Sequence, residues 1–330
     1  MRKDLKELKQ ITAPILEDIK VFEQEFRDAL KSEVRLVNTI GKYILRHKGK
    51  HIRPILTILA SRVCGEKPSL NSYRAAVMIE LLHVATLVHD DVVDDAEKRR
   101  GFPSINRAWK NKVAVLMGDF LMSKALINIV GIKDFEALML ISSTAEKMSA
   151  GEIFQIEKTI TRTISETDYY NMIFQKTASL ISASCELGAI TVTGKEKDRE
   201  AMRTYGAKLG MAFQIRDDLF DLFGKEEDIG KNVGADVKRN LMTLPVIHSY
   251  KTLSKPAAKE VKKLLNGSKK SRKNIGRLRD IVDAAGGQEY ARNKMDEFGN
   301  QALDAIAEYP DSPYKQSMTE LIAFNSQRIR

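Results

Sequence analysis

The stretch LVHDDVVDD, Leu87–Asp95, places four aspartates within six positions directly after an apolar run. At about 100° per residue, Asp90 and Asp94 stack one turn apart on one helix face, with Asp91 and Asp95 as a second pair beside them. Like charges at this spacing cost a helix roughly 0.2–0.5 kcal/mol per pair, so the cluster calls for a cation. No histidine or cysteine joins it at zinc-ligand spacing. Carboxylate oxygen alone suits a hard divalent ion, Mg²⁺ above all. A lone DDxxD also describes a solvated helix end. The spacing recurs, however, at Asp217, Asp218 and Asp221 in QIRDDLFD, after the apolar helical stretch Tyr205–Ile215. Two such clusters facing each other across a bundle would hold several Mg²⁺ ions. Mg²⁺ completes its shell with water and substrate phosphate, so the implied third partner is a phosphate.

A phosphate needs further cations. GKHIRP, Gly49–Pro54, sets Lys50 and Arg53 three apart at a helix start, where free N–H groups also favour an anion. KRRG, Lys98–Gly101, follows the first aspartates within one loop, and Lys231 lies in the glycine-rich loop GKNVGAD after the second. Each cation alone reads equally as an ordinary surface charge. Beside two Mg²⁺-type clusters they read jointly as a diphosphate grip, Arg bidentate and Lys as a point charge.

The elements that must position these groups are helices. Apolar residues recur three and four apart, as in Val77, Leu81, Val84, Val88 and, just after Val115, in Met117, Leu121, Ala125. Alternating strand patterns bounded by turn residues are scarce. Pro54, Pro103 and Pro256 sit where helices should begin. Glycine and proline breaks divide the chain into about a dozen helices of roughly 10–30 residues. No linker or repeat is visible. The expectation is an all-α fold, one helical-bundle domain over residues 1–330.

The formal net charge of +10 suits phosphorylated substrates or an acidic surface. The densest basic run, Lys269–Lys273, reads as a solvated linker. Aromatics do not interleave with the basic residues, which argues against nucleic acid. Two cysteines, Cys64 and Cys185, make neither a disulfide framework nor a metal cluster, and fit a reducing cytoplasm. The N-terminus lacks the apolar run of a signal peptide. No stretch is expected to span a membrane, which leaves peripheral contact at most.

GKHIRP, IELLHVATLVHDDVVDDAEKRRG, GDFLMSKA, GEIFQIE, KTASL, FQIRDDLFD and TLPVI follow one another in an order and spacing that resemble the trans-isoprenyl diphosphate (polyprenyl) synthases, from about residue 20 to the C-terminus. The resemblance is to long-chain members such as octaprenyl and heptaprenyl diphosphate synthases. It implies the isoprenoid synthase bundle, with a central cavity lined by two aspartate-rich helices. It implies up to three Mg²⁺ ions, with Mn²⁺ as a substitute, held by Asp90, Asp94 and Asp217 with Asp91, Asp218 and Asp221 in support. Lys50, Arg53, His83 and Arg100 would hold the diphosphate of isopentenyl diphosphate. Arg99, Lys176, Gln214 and Lys231 would hold or flank the allylic diphosphate. Thr177 would stabilise the developing carbocation, mainly through its backbone carbonyl. The family pairs as homodimers. One departure stands out: the lysine often found two positions before the Thr-Leu-Pro run is Leu241 here. Lys238 and Arg239 are the candidates to replace it.

The implied reaction is a prenyl transfer in which an allylic diphosphate, farnesyl or geranylgeranyl, ionises and the double bond of isopentenyl diphosphate attacks the cation. Ala85 and Thr86, about one turn before Asp90, stand where bulky family members stop chain growth. A growing apolar chain must be buried, so small residues here imply a long product of about C30–C40, of the quinone side-chain type. Close helix packing favours Ala equally. Met117, Phe120, Met122 and Phe154 are candidates for the tunnel floor. The alternatives are a short-chain C15–C20 synthase and a class I terpene cyclase, whose second metal site is usually of another type. Five histidines are too few for a His-Asp phosphohydrolase. Intact aspartate motifs argue against a regulatory subunit.

Overall fold

The structure, a computed structural model, describes residues 2–161, 163–224, 234–267 and 271–327. Lys231, Lys269 and Lys270 lie outside them. The chain runs through α1 (Arg2–Ile11), α2 (Leu16–Ala29), α3 (Arg35–Arg46), α4 (Ile52–Cys64), α5 (Leu70–Val93), α6 (Ile105–Ile132), α7 (Phe135–Thr161), α8 (Glu166–Ile173), α9 (Ser179–Ile190) and α10 (Glu196–Phe223). After one helical turn at Ala235–Lys238 come α11 (Leu244–Thr252), α12 (Lys255–Asn266), α13 (Arg272–Ala284), α14 (Gly287–Ala305) and α15 (Pro313–Gln327). The fold is all-α, as expected. Among the described residues the only strands are Lys98–Arg99 and Phe102–Pro103, paired antiparallel.

The first aspartate helix, α5, sits at the centre because it is apolar on every side. Ala75, Ala76, Val77, Met78, Ile79, Leu81 and Leu82 are all buried, against α2, α4, α6 and α9. Its start is fixed by a capping box. The Ser69 hydroxyl accepts from the Ser72 N–H at 3.2 Å, and the Ser72 hydroxyl accepts from the Ser69 N–H at 3.0 Å. The second aspartate helix, α10, packs across α9 and α14, and every residue of α9 is buried. The two aspartate helices are thus held through a shared layer, and their C-terminal ends share one end of the bundle.

The proline signals fall near helix starts. Pro54 is in the first turn of α4, Pro256 is the second residue of α12, and Pro103 stands just ahead of Ser104, which precedes α6. Two expectations change. Val115 faces outward, 40% exposed, while Met117, Leu121 and Ala125 are buried. One helix, α6, is long and apolar enough by length and composition to cross a membrane. Composition counts both faces alike. One face packs on α5, and the other presents Leu116, Leu126, Ile127 and Val130 outward.

At the α4–α9 crossing, a Cβ on Gly188 would lie 2.3 Å from the Thr57 carbonyl oxygen. Gly188→Val should therefore force the helices apart and destabilise the protein by about 1–3 kcal/mol or more. Urea unfolding reads this directly. An unchanged midpoint would show that the crossing yields freely.

Candidate active site

The end of α5 delivers Asp90 and Asp94 on one face, as the spacing predicts. Asp91 turns inward and is 3% exposed. Arg99 grips it with Nε 2.9 Å from both oxygens and Nη2 at 2.8 Å. Asp94, the C-cap of α5, accepts from Nη1 of Arg239 at 2.8 Å. No cation pairs with Asp90 among the described residues. Burial, and then the neighbouring Glu152 carboxylate, raise it to about 6.

The second cluster divides in the same way. Asp217 accepts from Arg216 at 2.6 Å, and that guanidinium lies 4.2 Å from the centre of the Phe213 ring. Asp218 points inward, where it accepts from the Tyr169 hydroxyl at 2.6 Å and from Gln214 Nε2 at 2.9 Å. Burial and the nearby Asp236 push its pKa well above the carboxylate range. Asp221 accepts from the backbone N–H groups of Ala235 and Asp236, both at 2.9 Å. A carboxylate is favourable at a helix N-terminus, so Asp221 hangs the Ala235–Lys238 turn on α10.

Lys176 and Thr177 lie on a π-helical turn, Phe174–Ala178, between α8 and α9. Such turns interrupt the i→i−4 ladder and recur at functional sites. The Thr177 hydroxyl donates to Gln214 Oε1 at 2.8 Å. Both ends of the Gln214 amide are therefore engaged, tying the π-turn to Asp218. Lys176 contacts Glu152 at 2.5 Å and Gln155 at 3.2 Å. Its charge acts on both Asp90 and Asp236, so it stands between the two clusters.

A second group of cations gathers at the start of α4. The chain between the strands turns through Arg100 (φ 53°) and Gly101 (φ 85°), both left-handed, as a tight hairpin requires. This aims Arg100 back to the His47 carbonyl at 3.1 Å. A Cβ on Gly49 would lie 2.5 Å from that guanidinium, so any larger residue there would have to displace the Arg100 side chain. Arg53 donates to His83 Nε2 at 3.0 Å. Arginine has no acceptor, so the His83 proton sits on Nδ1. Burial and the surrounding arginines hold His83 well below its ordinary pKa, hence neutral. His83, Arg99 and Arg100 line a cavity of about 70 Å³ with His51 and Glu80. His51 Nε2, from that lining, and Arg53 Nε, beside His83, are both buried without a hydrogen-bond partner. The Lys50 ammonium instead lies 5.1 Å from the centre of the Phe324 ring.

Among the described residues, no three His, Cys, Asp or Glu side chains form a ready-made metal cage. The donor set still fits a divalent cation. Asp90 is a partly buried carboxylate with no paired cation among the described residues, and Asp94 and Asp217 offer acceptor-only oxygens part-open to solvent. A site of one or two carboxylates completed by water and phosphate is the Mg²⁺ pattern.

Glu80, Glu152, Gln155, Tyr169 and Asp236 belong to the site but were assigned no role from sequence. Glu152 and Gln155 lie inside GEIFQIE and Glu80 inside IELLH, so the motif strings held a signal. Asp236 closes the loop motif GKNVGAD, while Tyr169 lies in none of the motifs. Ala85 is fully buried, and the Thr86 hydroxyl donates to the His83 carbonyl at 2.9 Å. Met117, Phe120 and Met122 share the core around Ala85, while Phe154 packs in a separate cluster with Tyr169 and Met172. A larger cavity of about 700 Å³ is lined by Gln155, Met172, Leu241 and Met242, and neither Ala85 nor Thr86 reaches it.

Glu80 is raised to about 7 by burial, against the pull of Arg53 and Arg100. A carboxyl raised in the folded state favours its neutral form. That contribution is complete below the unfolded value and is lost as pH rises through about 7. Glu80→Gln should therefore gain stability relative to the parent as pH rises from about 5 to 8. Thermal unfolding across that range reads the difference. Parallel curves would refute the shift.

Residues 34–283 match the model of the family described as polyprenyl synthetase. The all-trans-nonaprenyl-diphosphate synthase (geranyl-diphosphate specific) of Rhodobacter capsulatus is 32% identical over 97% of this chain and 98% of its own. The heptaprenyl diphosphate synthase component 2 of Bacillus subtilis is 38% identical over 76% of this chain and 71% of its own. The crystal structure of a polyprenyl synthase from Caulobacter crescentus CB15, complexed with calcium and isoprenyl diphosphate, superposes with a TM-score of 0.90 at 27% identity, covering 98% of each chain.

Proposed function

The chain belongs to the polyprenyl synthetase family, and from that premise we propose that it joins isopentenyl diphosphate to an allylic diphosphate to make long all-trans polyprenyl diphosphates. The observation that carries the reading is the pair of opposed clusters. Aspartates ending α5 and α10 flank Lys176, and a separate arginine–histidine pocket lies beside them at Arg53, His83 and Arg100. One site serves the diphosphate that leaves. The other serves the diphosphate that stays.

We infer that Mg²⁺ is the divalent cation and that Asp90, Asp94 and Asp217 hold it. When bound it would supply Lewis-acid neutralisation of the leaving diphosphate. Lys176 adds a fixed positive charge between the clusters, which favours breaking the allylic C–O bond with its electron pair leaving on the diphosphate. The Thr177 hydroxyl is committed to Gln214, so the part of Thr177 that serves the allylic cation is its backbone carbonyl, on the π-turn. Arg53, neutral His83 and Arg100 hold isopentenyl diphosphate so that its double bond meets that cation. Positioning of this kind supplies much of the rate. The new C–C bond forms, and the proton passes to the released diphosphate. Chain growth proceeds into the core below Ala85, toward Met117 and Phe120, and a quinone side chain is the fitting use.

We also propose a homodimer. Leu116, Ile127 and Val130 on α6 and Met139, Ile153 and Ile160 on α7 are more than half exposed and form an apolar surface that a second copy would cover. A cytoplasmic setting is supported by the two free thiols, Cys64 and Cys185.

Incubation with farnesyl diphosphate, labelled isopentenyl diphosphate and Mg²⁺ should yield a ladder ending near C30–C40, and Asp90→Asn should slow it by about 10²–10³-fold. Ala85→Phe should shorten the ladder. Products ending at C15 or C20 in the parent would sink the long-chain assignment. A cyclic hydrocarbon from farnesyl diphosphate alone would favour a cyclase. Activity only after addition of a second protein would point to a two-component enzyme.

Ile127→Glu combined with Ile153→Glu should convert the dimer to a monomer in light scattering. A parent that is already monomeric at micromolar concentration would overturn the dimer.

A further inference from the structure

Arg239 joins the two aspartate helices. Its backbone belongs to the turn that Asp221 suspends from α10, and its N–H donates to the carbonyls of Ala235 and Asp236 at 3.1 Å. Its side chain reaches Asp94 at the end of α5, 2.8 Å away, and is 50% exposed at the mouth between the helices. Of the two cations that could replace a lysine at position 241, only Arg239 forms an ion pair with an aspartate among the described residues. Leu241 is turned elsewhere. Its N–H bonds the Asp236 carbonyl at 2.9 Å, and it lines the larger cavity with Gln155 and Met242.

We propose that Arg239 is a ligand of the allylic diphosphate, held ready by Asp94 and handed over when Asp94 engages a divalent cation. The inference rests on the elongase reading above and adds to it a residue specific to this chain. Asp94 engages one nitrogen of a guanidinium that carries five donors, and the planar fork matches phosphate oxygens bidentately. Asp94 cannot serve Arg239 and a metal equally well. As its oxygens turn to a cation, Arg239 loses its partner beside the place where diphosphate charge gathers. The exchange keeps the mouth charge-balanced with the site empty and adds a grip when it is filled. No bond to carbon changes in this step.

The test compares Arg239→Gln and Arg239→Lys with the parent. Binding of inorganic diphosphate in the presence of Mg²⁺ is followed by calorimetry, and KM is measured separately for farnesyl and isopentenyl diphosphates. Arg239→Gln should weaken diphosphate binding about tenfold and raise KM for farnesyl diphosphate, with KM for isopentenyl diphosphate unchanged. Arg239→Lys should recover part of the loss, whereas Leu241→Lys added to Arg239→Gln should recover less, because position 241 faces the larger cavity. A change under twofold in Arg239→Gln would overturn the proposal. So would unaltered diphosphate binding with half-maximal rate at lower Mg²⁺, which would make Arg239 only a counter-ion for Asp94. A parent that binds diphosphate but forms no prenyl product would defeat the elongase reading instead, while the binding comparison still decides Arg239.

Discussion

Concentrated negative charge is the constraint on which the rest of the structure depends. Four carboxylates, Asp90, Asp94, Asp217 and Glu152, gather around one opening, with Asp91 turned inward beside them. A bundle that left them unpaired would carry mutual repulsion at a partly desolvated site. The chain answers with a cation for four of these five: Arg99 on Asp91, Arg239 on Asp94, Arg216 on Asp217 and Lys176 on Glu152. Asp90 is left over, and burial and Glu152 raise it. Asp218 and Asp236 likewise have no paired cation among the described residues, and burial raises both. The same economy governs the neighbouring pocket, where Glu80 offsets Arg53 and Arg100.

Much of this was legible in the sequence. The 3.6-residue period identified the helices, and Gly and Pro marked most of their ends. The i,i+4 spacing of Asp90 and Asp94 placed both on one face, because backbone geometry alone sets that relation. What stayed hidden depends on contacts between distant segments. Nothing local says that Asp236 is buried beside Asp218, or that Tyr169 donates to that carboxylate. Arg239 and Leu241 lie two residues apart, yet one turns to Asp94 and the other to a cavity, because Asn240 between them adopts φ 59°. Periodicity also misread α6. A helix packed on α5 along one face and apolar on its free face gives no clean stripe, so Val115 was counted with the core.

The π-turn shows why placement of the reactive groups could not follow from helix periodicity. Phe174–Ala178 inserts wider hydrogen bonding between α8 and α9 and resets the phase of the side chains. Lys176 thereby reaches Glu152 on α7 while Thr177, its neighbour, reaches Gln214 on α10. A continuous α-helix would separate adjacent side chains by about 100° and keep the i→i−4 ladder unbroken. The π-turn is therefore the local device that sends a cation toward Glu152 and a hydroxyl toward Gln214.

Each DDxxD divides its labour by depth. The residues facing the opening, Asp90, Asp94 and Asp217, keep oxygens for exchangeable partners. The others are struts: Asp91 fixes Arg99, Asp218 fixes Gln214 and with it the π-turn, and Asp221 suspends the turn that carries Arg239. Asp218 and Asp221 each accept from two donors, which fixes their geometry, whereas Asp94 accepts from one half-exposed arginine. The doubled aspartate serves both needs at once because consecutive helical residues point about 100° apart, one into the opening and one into the bundle. On this view the acidic motif is as much an orienting frame for the cations as a ligand set for a metal. The frame depends on α9, whose every residue is buried and which packs against both aspartate helices.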